Sequence, residues 1–342
     1  MSEATTNRVA DALPNSWVYS LLPQSVWPYA QLARWDRPIG WWLLLWPCWW
    51  SLALASRAVF DGARQAEAVD AGWVAIFTPS ITGHVWALVL PSFFAMLIGA
   101  IAMRGAGCTY NDIVDVKIDA MVARTASRPI PSGRASRKSA AVFLVIQALV
   151  GFACLLTVAH MFTAYGPNWF AFLLGVASLA VVACYPFAKR VTNWPQFVLG
   201  LAFSWGALMG WASIYGELSA APLILYAGSI LWVIGYDTIY AHQDREDDAL
   251  IGVKSTARLF GTRTRLALTL LYSVALACFA VSFGLAGAGV FAFVGLLIGG
   301  GQMIWQIRTL DIDDADLCLR LFKSNSQFGW IIFGGLLVDI AV

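Results

Sequence analysis

Long apolar segments alternate with shorter polar ones along most of the chain. A helix needs roughly 20 apolar residues to cross a hydrocarbon core of about 30 Å. By this measure nine segments are predicted to span a membrane as helices, namely 41–55, 85–103, 140–159, 169–187, 197–214, 222–241, 266–283, 290–307 and 328–342. The pattern predicts an all-α integral membrane protein, with residues 1–33 as a cytoplasmic N-terminal segment and 34–342 as a single membrane domain.

Composition and charge agree with this class. Hydrophobic residues make up 59% of the chain and charged residues 12%, about half the charged share of a soluble domain. If the N-terminus is cytoplasmic, 20 of the 22 Lys and Arg residues fall in cytoplasmic segments, and only Arg57 and Arg64 fall outside. Basic residues are retained on the cytoplasmic side, so the N-terminus is predicted inside and the C-terminus in the periplasm.

The location and partners follow from several smaller features. The first 30 residues include Glu3, Asp11, Pro14 and a single arginine, Arg8, which is unlike a cleavable signal peptide or an Arg-rich presequence. We therefore expect a bacterial inner membrane, with the lipid bilayer as the surroundings. The six cysteines have no paired spacing and predict neither disulfides nor a zinc site. No nucleic-acid-binding patch and no obligate protein partner are indicated.

The first acidic segment lies at the cytoplasmic end of an apolar helix. Asp112, Asp115 and Asp119 are spaced i, i+3 and i+7 and share one helix face, and Asn111 lies one turn before Asp115. Three like charges on one face repel unless a cation binds among them. An all-oxygen set with one amide suits a hard ion such as Mg²⁺.

A second acidic segment repeats the arrangement. Asp237, Tyr240, Asp244 and Asp248 are spaced i, i+3, i+7 and i+11 and are predicted to form one continuous helix face. An acid at the centre of a span costs on the order of 2.5 to 3.5 kcal/mol, so these residues must line a polar cavity or lie at the interface. Solvated helix ends in cytoplasmic loops are the alternative, but two sets in helical phase favour a binding role.

Basic residues follow both acidic segments. Because Mg²⁺ usually shares its coordination shell with substrate phosphates, acids and bases together indicate a metal-bridged diphosphate. Retention of basic residues on the cytoplasmic side explains any one of them equally well. The residues concerned are Lys117, Arg124, Arg128, Arg134, Lys189, Arg190, Lys254 and Arg258.

Four stretches carry a family resemblance. Residues 111–133 (NDIVDVKIDAMVARTASRPIPSG) and 237–257 (DTIYAHQDREDDALIGVKSTA) resemble the two Asp-rich motifs of the UbiA superfamily of membrane prenyltransferases. Residues 34–47 (RWDRPIGWWLLLWP) and 185–196 (YPFAKRVTNWPQ) are similar to the branch that acts on 4-hydroxybenzoate. The resemblance extends from Arg34 through the second motif, and no motif follows Arg265.

The resemblance implies a nine-helix bundle around a central cavity, with Mg²⁺ as cofactor and a polyprenyl diphosphate and 4-hydroxybenzoate as substrates. The diphosphate would leave, the carbon ortho to the hydroxyl would attack the allylic cation, and loss of the proton from that carbon would restore aromaticity, as in ubiquinone biosynthesis. The implied catalytic residues are Asp115, Asp119, Asp237, Asp244 and Asp248. The implied metal ligands are Asn111, Asp112, Asp115, Asp119, Asp244 and Asp248, and the implied diphosphate ligands are Lys117, Arg124, Arg128, Lys189, Arg190 and Lys254.

The acceptor site is assigned to three residues. Arg34 and Arg37 lie at the cytoplasmic end of the first predicted span, where they can bind a benzoate carboxylate as a bidentate pair, and Tyr240 lies in the second motif. Arg190 is an equal candidate for the carboxylate, or binds the diphosphate instead. The alternative for Arg34 and Arg37 is that they anchor the helix at the membrane interface.

Two other functions compete with this one. The first is the same chemistry on homogentisate, a dihydroxynaphthoate or haem. The second is a cation-coupled transporter, whose intramembrane acids would bind ions. The acids here lie at cytoplasmic helix ends, and the opposite face carries almost no charge for an exit route.

Overall fold

Helices joined by turns and loops make up the part of the chain that the structure describes. The structure, a computed structural model, describes residues 9, 16–69, 81–121, 125–163, 166–245, 249–250, 252 and 254–342, and these contain no strand. The helices are α1 (Trp17–Leu21), α2 (Trp27–Leu32), α3 (Ile39–Val69), α4 (Ile81–Val114), α5 (Val116–Asp119), α6 (Arg137–Val158), α7 (Trp169–Val191), α8 (Pro195–Ser204), α9 (Gly206–Tyr215), α10 (Ala220–Ala241), α11 (Thr256–Phe260), α12 (Thr264–Leu285), α13 (Val290–Thr309) and α14 (Ala315–Ala341).

Eight helical segments are long and apolar enough to cross a membrane, among the residues described. They are Ile39–Gln65, Val85–Val114, Arg137–Val158, Trp169–Ala188, Pro195–Tyr215, Ala220–Asp244, Thr256–Leu285 and Val290–Thr309. The first eight predicted spans correspond to them. The ninth, 328–342, lies in α14, which is helical but carries polar residues such as Asn325 and Asp339 and falls outside the set of eight.

The chain divides into two compact units, the first comprising Met1–Trp42 and Leu97–Cys154 and the second Leu43–Met96 and Leu155–Val342. In the first unit, Leu32 of α2 packs with Ile130, Ala135 and Ala140, and Tyr29 and Phe143 border this cluster. The cluster joins α2 to the loop that follows the first acidic segment. That loop is thus part of the packed unit.

In the second unit α10 packs against α12, α8 and α14. A Cβ added at Gly235 would lie 2.1 Å from the Tyr272 ring, so α10 and α12 approach too closely for a side chain there. Small residues allow such close approach between membrane helices. Trp50, Trp232, Phe279 and Phe328 are fully buried in the same unit and pack against one another in tilted and edge-to-face arrangements.

The two arginines predicted to lie outside take part in one polar cluster of the second unit. Arg57 Nε lies 2.8 Å from Asp339 Oδ2, and that carboxylate also accepts the Gly289 N–H at 2.6 Å. Arg64 donates to the carbonyl of Ile340 and pairs with Asp61 at 3.2 Å. The ion pair with Arg57 explains how Asp339, near the end of α14, can be only 4% exposed.

Candidate active site

The first acidic segment has a helical backbone with one local break. α4 ends at Val114, and Asp115 has φ −98° and ψ 10° before α5 begins. The helical hydrogen bonds continue through the break, from Asp115 N to Asn111 O and from Asp119 N to Asp115 O, both at 2.8 Å. The i, i+4 relation predicted for these residues is therefore present in the structure.

The three carboxylates of this segment are buried. Asp112, Asp115 and Asp119 are 0%, 1% and 5% exposed. Arg34 Nη2 lies 2.7 Å from Asp112 Oδ1, and Arg128 Nη1 lies 3.2 Å from the same oxygen and 2.9 Å from Asp119 Oδ2. Buried carboxylates must be paired or bound to a metal, and here two arginines supply part of that charge.

Arg34 is held in a backbone conformation that few side chains adopt. Its φ is 59°, in the left-handed region, where a non-glycine residue is strained by about 1 kcal/mol or more. Its Nη1 donates to the carbonyl of Gln31 at 2.7 Å, while Nη2 reaches Asp112. The strain is offset by these contacts, which aim the guanidinium at the first acidic segment.

Arg37 belongs to a second polar group of the first unit. Its Nε lies 3.3 Å from Oδ1 of Asp36, a fully buried carboxylate. Burial and the nearby Asp36 raise the pKa of Tyr19 to about 12. The phenol therefore stays protonated and donates to Asp36 Oδ2 at 3.2 Å. Asp36 is thus an anchor for Arg37 that the sequence did not single out.

The basic residues near the first segment differ in their surroundings. Lys117 is exposed, and Arg128 is paired with Asp112 and Asp119. Arg134 donates to Gln31 Oε1 at 2.8 Å and to the carbonyl of Ser127. Arg134 therefore ties the loop to α2. Arg124 lies outside the described residues.

The second acidic segment begins on α10 but does not continue as one α-helix. α10 ends at Ala241, and His242–Asp244 form a 3₁₀ turn. Asp237, Tyr240 and Asp244 are partly exposed. A 3₁₀ turn is wound more tightly than an α-helix, so the predicted continuous face holds only from Asp237 to Tyr240. Asp248 lies outside the described residues.

The chain beyond the second segment is tied back to the helices of the second unit. Thr256 N–H donates to Gln196 Oε1 at 3.1 Å, and the hydroxyls of Thr256 and Thr238 lie 2.6 Å apart. These contacts fix the start of α11 against α8 and α10. Gln196 falls within the stretch 185–196 that carried the family resemblance, and its role as a backbone anchor is visible only in three dimensions.

Three basic candidates belong to the second unit. Lys254 Nζ donates to the carbonyl of Val191 at 3.1 Å, which holds it beside the end of α7. The guanidinium carbon of Arg190 lies 5.7 Å from the centroid of the Phe187 ring, one turn earlier on α7. The side chain of Lys189 is outside the described part.

The family is decided by a sequence comparison. A model described as the UbiA prenyltransferase family matches residues 44–332. The chain belongs to this family. A relative from Arabidopsis thaliana, named 4-hydroxybenzoate polyprenyltransferase, mitochondrial, is 41% identical over 327 residues, which cover 94% of this chain and 71% of the relative.

Two solved structures of UbiA homologues have a similar fold. The apo structure from Aeropyrum pernix K1 is 25% identical, covers 87% of this chain and 97% of its own, and superposes with a TM-score of 0.64. The homologue from Archaeoglobus fulgidus bound to GPP and Mg²⁺ is 17% identical, covers 92% and 100%, and has a TM-score of 0.57. The membrane-helix fold predicted for this UbiA family member is thereby confirmed.

The donor atoms of this UbiA chain fit Mg²⁺. Within the described residues no three His, Cys, Asp or Glu side chains are grouped closely enough to hold a metal by themselves. Mg²⁺ needs no such group, because it keeps waters and binds through one or two carboxylates and substrate phosphates. Asp112 supports the fit, since its buried Oδ2 has no hydrogen-bond partner among the residues described, while Oδ1 is bound by two arginines.

Proposed function

We propose that this UbiA family member transfers a polyprenyl group from polyprenyl diphosphate to the ring carbon ortho to the hydroxyl of 4-hydroxybenzoate, a reaction of ubiquinone biosynthesis. The single observation that carries the proposal is the buried cluster of Asp112, Asp115 and Asp119 with Arg34 and Arg128. It lies at the end of a helix apolar enough to span a membrane. The name of the Arabidopsis relative, at 41% identity, supports the same acceptor.

In this proposal the acidic segments bind Mg²⁺ and, through it, the diphosphate. The proposed binding residues of the first segment are Asn111, Asp112, Asp115 and Asp119. Those of the second segment are Asp237, Asp244 and Asp248. Bound Mg²⁺ would supply positive charge that stabilises the leaving diphosphate. The Archaeoglobus homologue, which binds GPP and Mg²⁺, supports the choice of ion and of substrate class.

The basic residues are proposed to act on the same leaving group. Lys117, exposed beside the first segment, and Lys254, held at the end of α7, can each offer an ammonium to a phosphate oxygen. Arg128 holds Asp112 and Asp119 and can bind phosphate with its remaining N–H groups. Arg124, Lys189 and Arg190 complete the proposed set.

The acceptor residues are proposed from chemistry and from their fixed geometry. Arg34 and Arg37 are both held by buried aspartates, Asp112 and Asp36, so each guanidinium has a set direction. A preorganised guanidinium binds a carboxylate with less loss of side-chain entropy. Tyr240 is proposed to contact the aromatic ring, and Arg190 is kept as the alternative for the carboxylate.

The membrane topology and the cellular location are also proposed. We propose nine spans with the N-terminus in the cytoplasm and the C-terminus in the periplasm of a bacterial inner membrane. The distribution of Lys and Arg supports the orientation. The Arabidopsis relative has a mitochondrial name, so fractionation of the source cells is the test of location.

Cysteine labelling tests the topology. A single cysteine at position 166 should react with a membrane-impermeant thiol reagent from outside and one at 133 should not. The reverse pattern would invert the topology.

The test of function is prenyl transfer by the purified protein. The full chain in detergent is incubated with a polyprenyl diphosphate, Mg²⁺ and one acceptor at a time, and products are identified by mass spectrometry. We expect prenylated 4-hydroxybenzoate and no product with homogentisate, a dihydroxynaphthoate or haem. Product from another acceptor alone would keep the chemistry and change the substrate. No transfer to any of them would reject the proposal.

A further inference from the structure

One face of the last helix, α14, carries three residues in helical phase that the sequence motifs do not include. Phe322, Asn325 and Gly329 are spaced i, i+3 and i+7 and therefore share a face. All three are buried, at 8% exposure for Phe322 and 0% for Asn325. Each contacts a different aromatic side chain within the second unit, so this face acts as one packing surface.

Phe322 packs against the second acidic segment. Its ring centroid lies 4.5 Å from that of Tyr240 at an interplanar angle of 39°, and 5.7 Å from that of Tyr236 at 60°. Tyr236 and Tyr240 flank Asp237 at either side in sequence, one turn of α10 apart. Ring pairs in this distance range contribute about 0.5 to 1.5 kcal/mol beyond area burial. Phe322 thus limits the orientations open to the Tyr240 ring.

Asn325 fixes α14 against α10 one turn further on. Its Oδ1 accepts a hydrogen bond from Trp232 Nε1 at 2.9 Å, and its Nδ2 donates to the carbonyls of Leu321 and Phe322 at 3.2 and 3.1 Å. The amide is therefore satisfied on both sides while fully buried. Sliding α14 along α10 would break the bond to Trp232, which keeps Phe322 opposite Tyr240.

Gly329 sets the distance between α14 and α3. The Trp50 indole donates to the Gly329 carbonyl at 3.1 Å. A Cβ at position 329 would lie 2.2 Å from atoms of the Trp46 ring, which is itself fully buried. Only a glycine allows the indole of Trp46 to lie on the helix there. The three contacts together hold α14 at a fixed register in the second unit.

We propose that Phe322 is a positioning residue for the transfer reaction, which acts by holding Tyr240 in the orientation that contacts the aromatic acceptor. Asn325 and Gly329 keep the helix that carries it in register. This inference rests on the proposed function, because it takes Tyr240 as an acceptor-binding residue. It assigns a function to a helix that lies beyond both acidic motifs.

The experiment compares the steady-state kinetics of Phe322→Ala and Phe322→Tyr with the wild type, at saturating polyprenyl diphosphate. We expect Phe322→Ala to raise KM for the acceptor about two- to 13-fold, the range that corresponds to the loss of its ring pair with Tyr240. KM for the diphosphate and the Mg²⁺ requirement should be unchanged. Phe322→Tyr keeps a ring and should restore the acceptor KM to within twofold of the wild type.

A double variant separates positioning from a general loss of structure. If Phe322 acts through Tyr240, Phe322→Ala should raise the acceptor KM little further once Tyr240→Ala is present. Phe283→Ala is the matched control, since Phe283 is fully buried on α12 and packs against Phe293. It should lower the thermal midpoint about as much as Phe322→Ala and leave the acceptor KM unchanged.

The outcomes are distinct. If the wild type is active and Phe322→Ala leaves the acceptor KM unchanged, the inference is overturned and the proposed function stands. The same holds if the effects of Phe322→Ala and Tyr240→Ala on the acceptor KM are additive. An inactive wild type rejects the function itself. If Phe322→Ala does not fold, Phe322→Leu, which keeps most of the volume but no ring, takes its place with the same expected rise in KM.

Discussion

Nη1 of Arg128 lies 2.9 Å from Oδ2 of Asp119. This ion pair links the loop after the first acidic segment back to the segment itself, and the same nitrogen reaches Asp112 at 3.2 Å. The side chains are 12% and 6% exposed, so the pair is largely withdrawn from water. The protein therefore partly neutralises its own acidic cluster.

The first prediction concerns this pair. Arg128→Met removes the cation and leaves Asp119 without it, and breaking a buried pair in this way should cost about 3 kcal/mol of unfolding free energy. Part of the loss should return in saturating Mg²⁺, because a metal that binds only the folded protein stabilises it by mass action. The measurement is the thermal midpoint in detergent with EDTA and with Mg²⁺.

Arg263→Met is the control for that experiment. Arg263 is exposed at the start of α12, and its replacement should change stability by no more than about 0.5 kcal/mol in either buffer. If Arg128→Met has the same midpoint as Arg263→Met, or if Mg²⁺ restores nothing, the carboxylates are compensated in another way.

The sequence predicted the helices and the acidic segments because both depend on local periodicity. It could not predict that Arg34 would bind Asp112, since that contact joins residues 78 positions apart and requires a left-handed backbone at an arginine. Helix α14, which contains the ninth predicted span, falls outside the eight apolar segments of the described residues because it carries polar residues such as Asn325 and Asp339. Asn325 bonds to Trp232 and Asp339 pairs with Arg57, and a hydropathy profile cannot register such partners. The sequence also did not predict the 3₁₀ turn after Ala241. His242, the buried first residue of that turn, contacts Thr264, which lies beyond the second motif, and local periodicity carries no information about such a contact.

The second prediction concerns the metal. Excess EDTA should abolish prenyl transfer, and added Mg²⁺ should restore it, because the acidic segments can bind a diphosphate only through a cation. The readout is initial rate against free Mg²⁺, with the thermal midpoint as a check that EDTA has not unfolded the protein. Undiminished turnover in EDTA would refute the metal-dependent mechanism.

The third prediction concerns the polar cluster at the end of α14. Arg57→Met leaves the buried Asp339 with the Gly289 N–H but without its ion-pair partner, which should cost roughly 1.5 to 3 kcal/mol. Adding Asp339→Asn should recover part of the loss, because the amide keeps an acceptor for Gly289 and removes the uncompensated charge. Thermal unfolding of the wild type, both single variants and the double variant provides the measurement. A double variant no more stable than Arg57→Met would show that the charge of Asp339 is not the cause.

The last prediction separates metal binding from acceptor binding. Asp115→Ala and Asp244→Ala each remove a proposed ligand of the ion that stabilises the leaving diphosphate, an interaction that strengthens as charge develops, so the loss should fall mainly on kcat. We expect at least about a hundredfold decrease, comparable to the removal of one preorganised charge-stabilising group. Asp316→Ala replaces an exposed acid at the start of α14 and should keep the wild-type rate.

Arg34→Ala should instead raise the acceptor KM. The rise should be about ten- to 150-fold if a charged hydrogen bond worth roughly 1.5 to 3 kcal/mol is lost equally in the ground and transition states. Because Arg34 also holds Asp112, a fall in kcat of Arg34→Ala with no change in KM would assign it to the metal cluster, and Arg37 and then Arg190 would be the next residues to replace. Near-normal rates in both aspartate variants would contradict the metal assignment.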